Sequence, residues 1–114
     1  MFQYQSKLES KEMDFLCDAF LCLETREECY RFFDDICTIN EIKAFEQRLL
    51  VAKMLREKKT YIEIAAETGA SSATISRVNR CLIYGSDGYK IILSRLEEKE
   101  KEKEKDNEKA DETK

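Results

Sequence analysis

An all-α fold of six helices is what this sequence predicts, and three observations carry that expectation. Proline is absent and glycine occurs only three times in 114 residues, so backbone breakers are scarce. Leu, Glu, Lys, Arg, Ala and Ile fill most positions, and all but Ile keep nearly full rotamer freedom on a helix. Apolar residues recur at spacings of three and four rather than two.

Leu8, Met13, Phe15, Leu16, Ala19, Phe20 and Leu23 form the stripe of a first helix. Thr25 followed by Glu28 fits a capping box, in which hydroxyl and carboxylate satisfy reciprocal backbone donors, and opens a second helix through Cys29, Phe32, Phe33 and Ile36. Asn40 is the expected N-cap of a longer third helix, where Ile42, Phe45, Leu49 and Ala52 share a face that Leu50, Val51, Met54 and Leu55 widen. So broad an apolar surface exceeds what one thin layer of neighbours covers, which points to a core shared between two copies.

Thr60 is placed to cap a short fourth helix ending at Gly69, the residue type that tolerates the left-handed conformation past a helix end. Ser71 or Ser72 caps a fifth helix running to about Tyr84. A turn over Gly85, Ser86, Asp87 and Gly88 precedes a sixth, striped by Tyr89, Ile92, Leu93 and Leu96. One domain over residues 1–96 is therefore expected, followed by a charged tail over 97–114, where opposite charges at spacing three and like charges at spacing four partly cancel, so that fraying and disorder are expected.

Composition narrows the function. With no histidine and no C-x-x-C pair among the five cysteines, neither a metal site nor a cofactor is expected. No glycine-rich phosphate loop, activated nucleophile or spaced carboxylate pair points to catalysis, so the chain does not read as an enzyme. The absence of a long apolar run or a secretory layout leads to an expected cytoplasmic location, with no membrane partner and reduced thiols. Net charge is -4, yet residues 97–114 hold six Lys and nine Asp or Glu, which leaves fourteen basic and fifteen acidic residues before them. Any nucleic-acid binding then needs a local basic surface, and Lys58, Lys59, Arg77 and Arg80 supply one.

The segment TYIEIAAETGASSATISRVNRCL, residues 60–82, carries the functional signal. Ile64 faces a core, Ala65 permits two helices to cross closely, Gly69 makes the bend, and Ile75 with Val78 and Leu82 anchors the second helix. That leaves Ser72, Ser76 and Arg80 outward, with Ala73 and Arg77 beside them. Such a slim polar face suits a major groove roughly 12 Å wide, so the segment reads as a helix-turn-helix.

This stretch, above all Gly69-Ala70-Ser71-Ser72-Ala73-Thr74-Ile75-Ser76-Arg77 with Tyr84-Gly85 and the Gln47-Arg48 and Ala52 region, resembles the bacterial Trp repressor superfamily in its YerC-like branch. The resemblance runs from about Met13 to Leu96 and implies an intertwined homodimer with two protruding reading heads. It assigns base-proximal roles to Ser71, Ser72, Ala73 and Ser76 and places Lys58, Lys59 and Thr60 nearer the phosphates. The full expected DNA-contacting set adds Thr74, Arg77 and Arg80.

The resemblance also implies an effector site between the third and fifth helices, for which Gln47, Arg48 and Arg77 are the candidates. Val78 stands where Trp repressors carry the glycine that admits the indole, so tryptophan is not the expected effector and these residues identify no other. The leading reading is a transcriptional regulator, a repressor, binding near-palindromic double-stranded DNA as a homodimer. The competing one, a helical protein-interaction module without DNA binding, draws on the nearly neutral body.

Overall fold

Capping chemistry sets most of the helix starts in the computed structural model, which describes residues 4–112. Residues 1–3 and 113–114, the outer ends of the predicted domain and tail, lie outside the described residues. Among those described there are six helices and no strand: α1 Lys11–Leu21, α2 Arg26–Ile36, α3 Ile39–Arg56, α4 Tyr61–Thr68, α5 Ser72–Tyr84 and α6 Gly88–Glu112. None is long and apolar enough to cross a membrane. The chain divides into two compact units, Met1–Ile42 and Lys43–Lys114.

In the first unit, the Ser10 hydroxyl accepts from the Met13 amide and starts α1. Thr25 caps α2 as expected, accepting from the Glu28 amide, but the Glu28 carboxylate reaches one residue further back and accepts from Glu24 rather than closing the box on Thr25. Phe20 packs edge-on to Phe32 at 5.4 Å and lies 5.9 Å from Phe33, centroid to centroid. Neither α1 nor α2 contains a buried residue.

The start of α3 differs from expectation. Thr38 accepts from the Glu41 amide at 3.2 Å while Glu41 accepts from the Thr38 amide at 2.9 Å. This reciprocal pair satisfies two backbone donors where an Asn40 cap satisfies one, and so Asn40 falls inside the first turn. The same backbone hydrogen bond, helped by the Thr38 hydroxyl, holds the Glu41 carboxyl below its ordinary value.

The second unit has a core built from Val51, Ala52 and Met54 of α3, Ile64 of α4, Ala70 of the turn, Ile75 and Val78 of α5, and Leu93 of α6. Leu55, Ala65, Leu82 and Tyr89 pack around it. Arg56 ties α3 to α6, 2.9 Å from the Ser94 hydroxyl and 2.8 Å from the Glu97 carboxylate. The helix α6 continues through the Glu and Lys run to Glu112, beyond the point where fraying was expected, and residues 97–108 are exposed. High intrinsic helix propensity and opposite charges at spacing three act in favour of that extension.

Candidate nucleic-acid interface

The reading segment is a pair of capped helices joined by three residues. At its start, the Thr60 hydroxyl accepts from the Glu63 amide at 3.2 Å and the Glu63 carboxylate accepts from the Thr60 amide at 3.0 Å, a complete capping box. The end of α4 is fixed by Gly69 in the left-handed region at φ 72°, its amide donating to the Ala65 carbonyl at 2.9 Å. Thr68 braces the bend from within: its hydroxyl donates to the Ile64 carbonyl at 2.7 Å and accepts from the Ala70 amide at 3.1 Å. Ser71, rather than Ser72, then caps α5 through the Thr74 amide at 3.1 Å.

With Ile75 and Val78 buried and Leu82 half-buried, the opposite side of α5 presents Ser72, Ala73, Ser76, Arg77 and Arg80 to solvent. These five share one face by helical spacing, and four of them end in a hydroxyl or a guanidinium. The Ser71 and Thr74 side chains are engaged with one another, Ser71 also accepts from the α5 N-terminus, and Thr74 is half-buried while Ser71 is exposed. First-turn amides of a helix lack intrahelical acceptors, and the helix dipole favours anions at this terminus.

The charge on α5 has one sign. The thirteen residues of α5 carry two arginines and no carboxylate. Neither Arg77 nor Arg80 forms an ion pair among the described residues, nor does Lys58, whereas Lys59 lies 3.7 Å from Glu67. A nearly neutral body, residues 1–96, thus holds a locally positive segment between residues 58 and 80.

Lys58 is held at φ 66°, a left-handed conformation that costs an L residue about 1–2 kcal/mol. The Lys59 amide reaches back to the Met54 carbonyl, the six-residue closure that usually places glycine where Lys58 stands. A lysine kept in a glycine position, directly ahead of the reading segment, is strain retained beside exposed basic charge.

Of the three effector candidates, the structure brings two together. Arg48 of α3 and Arg77 of α5 flank a cleft of about 220 Å³, completed by Thr74, Val78, Cys81 and Tyr89. Gln47 is not among its walls, because its side-chain amide donates to the Thr68 carbonyl at 3.2 Å. Tyr89 was legible only as a core position. Its phenol is pushed above the ordinary value by burial and by Cys81, with Arg48 and Arg77 opposing, so it remains a neutral donor. The only sequence signal for this group was the proximity of Gly85 and Gly88 to Tyr89, which makes the tight return of α6 toward α5 possible.

Comparison with known proteins adds to this geometry. The family model described as Trp repressor protein matches residues 11–97. The uncharacterized protein YerC of Bacillus subtilis is 61% identical over 94 residues, spanning 82% of this chain and 90% of that protein. A crystal structure from Staphylococcus aureus, provisionally named a Trp repressor, superposes with a TM-score of 0.77 at 56% identity and covers 80% of this chain and 91% of that one. A TrpR like protein from Eubacterium eligens gives 0.76 at 56% identity, covering 79% and 93%.

Proposed function

The chain belongs to the Trp repressor protein family, and from that premise we propose that it is a homodimeric, cytoplasmic repressor of transcription that lays α5 of each copy into the major groove of near-palindromic double-stranded DNA. One observation carries the reading: the outward face of α5 is narrow, rich in hydroxyls, free of carboxylates and flanked by two guanidiniums without acidic partners among the described residues. Such a face enters a groove without steric conflict and meets phosphates and base edges with donors. Serine hydroxyls make few bidentate base contacts, so discrimination rests on bridging water and duplex shape.

The apolar surface supports the homodimer. Phe15 and Leu21 are 75% and 82% exposed in the first unit, while Phe45, Leu49, Leu50, Ile92 and Leu96 are exposed in the second. A groove of about 700 Å³ between α3, α5 and α6 is lined by Phe45, Leu49, Tyr89 and Ile92. A second copy brings the matching apolar helices that such surfaces require, and two reading heads then address two half-sites.

Lys58, Lys59 and Thr60 sit on the phosphate side of the head in this reading. Replacing Lys58 with glycine relieves the left-handed strain and raises stability by up to about 1 kcal/mol, while it removes a phosphate contact. The expected result is a higher unfolding midpoint together with weaker DNA binding. A loss of both would place Lys58 in the scaffold instead.

Selection of bound duplexes from random DNA tests the function. Wild type yields a two-fold symmetric consensus whose half-site spacing reports the distance between heads. Ser72→Ala relaxes the consensus, and Arg77→Ala weakens binding about tenfold and lowers the salt dependence by about one counterion. The nearly neutral charge of the body is what favours the rival reading, a protein-interaction module. No enriched sequence, and binding to a protein that is indifferent to salt, would establish that rival.

A further inference from the structure

We infer that Gln47 is a positioning residue for DNA recognition: it holds the bend between α4 and α5 against α3, so that the chain itself sets the working angle of the reading head and no small molecule is needed to set it. This rests on the DNA-binding reading above. It adds to that reading a claim about how the head is controlled.

Gln47 lies on α3 at spacings of four and seven from Val51 and Met54, both buried, so it occupies the core-facing stripe. A polar side chain on that stripe is stable only if its hydrogen-bonding groups are used. Its Nε2 donates to the carbonyl of Thr68 at 3.2 Å, in a partly buried setting. Thr68 is the last residue of α4, where carbonyls have lost their intrahelical donors, so the bond supplies a donor that the helix end lacks.

Among the described residues this is the one side-chain hydrogen bond that reaches the stretch from Tyr61 to Tyr84 from another helix. The remaining attachment of that stretch to α3 is apolar, with Val51, Ala52 and Met54 in one core with Ile64, Ile75 and Val78. Apolar packing is non-directional: it fixes how close the head lies but tolerates sliding and rotation. A hydrogen bond has a narrow range of length and angle, and this one acts at the bend itself. Thr68 passes the constraint on, because its hydroxyl holds both Ile64 and Ala70, and Ser71 follows directly as the cap of α5.

The bend is therefore tied to α3 by protein atoms. On the neighbouring side, Val78 is almost wholly buried and forms part of the cleft wall between Arg48 and Arg77. The head thus has its own brace, a polar bond at the bend beside an apolar core.

The test uses the full chain in two preparations, one as purified and one unfolded, dialysed free of small molecules and refolded. Both are titrated with the duplex selected by the purified protein and with an unrelated duplex. Equal affinity of the two preparations, unchanged by added tryptophan, is the expected result. Gln47→Leu keeps length and apolar fit but has no donor, and Gln47→Glu keeps size and polarity with only acceptors at neutral pH. Each is expected to reduce the ratio of specific to unrelated binding about tenfold, while Gln47→Leu retains the wild-type unfolding midpoint. Amide exchange at Ala70 should accelerate in both variants.

A refolded wild type that recovers specific binding only after a cell extract is added overturns the inference and leaves the DNA-binding reading standing. So does a specificity ratio that both variants retain. Wild type that binds neither duplex in either preparation overturns the DNA-binding reading, and the inference with it.

Discussion

Replacing Ile75 with alanine is expected to cost about 2–5 kcal/mol of stability and to abolish specific DNA binding at temperatures where wild type is folded. Ile75 is fully buried and, with Val78, holds the core-facing side of α5 that lies opposite the outward set. Truncation removes three carbons from a small core of eight buried residues, which has few neighbours to collapse into the space. Against a total of about 5–15 kcal/mol for an ordinary domain, such a loss leaves much of the population unfolded on mild heating. Denaturant unfolding followed by helical circular dichroism measures the first effect, and titration of the selected duplex measures the second. Ser76→Ala, on the exposed face of the same helix, should leave the unfolding midpoint nearly unchanged. If both variants unfold together, α5 does not have an inner and an outer side.

Glycine 85 gives the second large effect. A Cβ built on Gly85 would lie 2.2 Å from the Cys81 carbonyl oxygen and 3.0 Å from the Cys81 carbonyl carbon and Cα. Those atoms are backbone of the last turn of α5, and the Gly85 amide is bonded to that same oxygen at 2.9 Å. Relief requires the closing hydrogen bond to break or the path toward α6 to change, which displaces Tyr89 and Leu93 from the core. Gly85→Ala should cost about 1–3 kcal/mol, in the range of other forced repackings. Gly69 makes a useful contrast. Its φ of 72° favours glycine, but nothing lies within 4 Å of the added Cβ, so Gly69→Ala pays for backbone strain alone, about 1 kcal/mol. A larger loss at Gly69 than at Gly85, measured by denaturant midpoints, would reverse this assignment.

The contrast also shows how far each feature was legible. Gly69 was readable as a helix stop because the pattern on either side of it is local: a helical stripe ends and a serine cap follows two residues later. Gly85 was readable only as part of a turn, since the carbonyl that excludes a side chain there belongs to the geometry of the α5 end. At Thr38, the signal was present in the sequence as Thr-x-x-Glu, and the better single cap at Asn40 obscured it. The outward set of Ser72, Ala73, Ser76, Arg77 and Arg80 was legible because burial of Ile75 and Val78 decides it through helical periodicity. Ser71 and Thr74 were not separable from that set by spacing, as their mutual hydrogen bond turns them toward the helix end.

By itself, the sequence determined six helices, most of their caps, the bend at Gly69 and which side of α5 faces away from the core. Each of those follows from interactions between residues no more than about four apart, where backbone donors and side-chain spacing act alone. The tertiary structure decided that Gln47 is spent on Thr68 rather than on the cleft, that Arg48 and Arg77 meet across it beside Tyr89, and that no side chain fits at Gly85. These depend on the angles and distances at which whole helices pack, which are the sum of many apolar contacts and are encoded in no single stretch of chain.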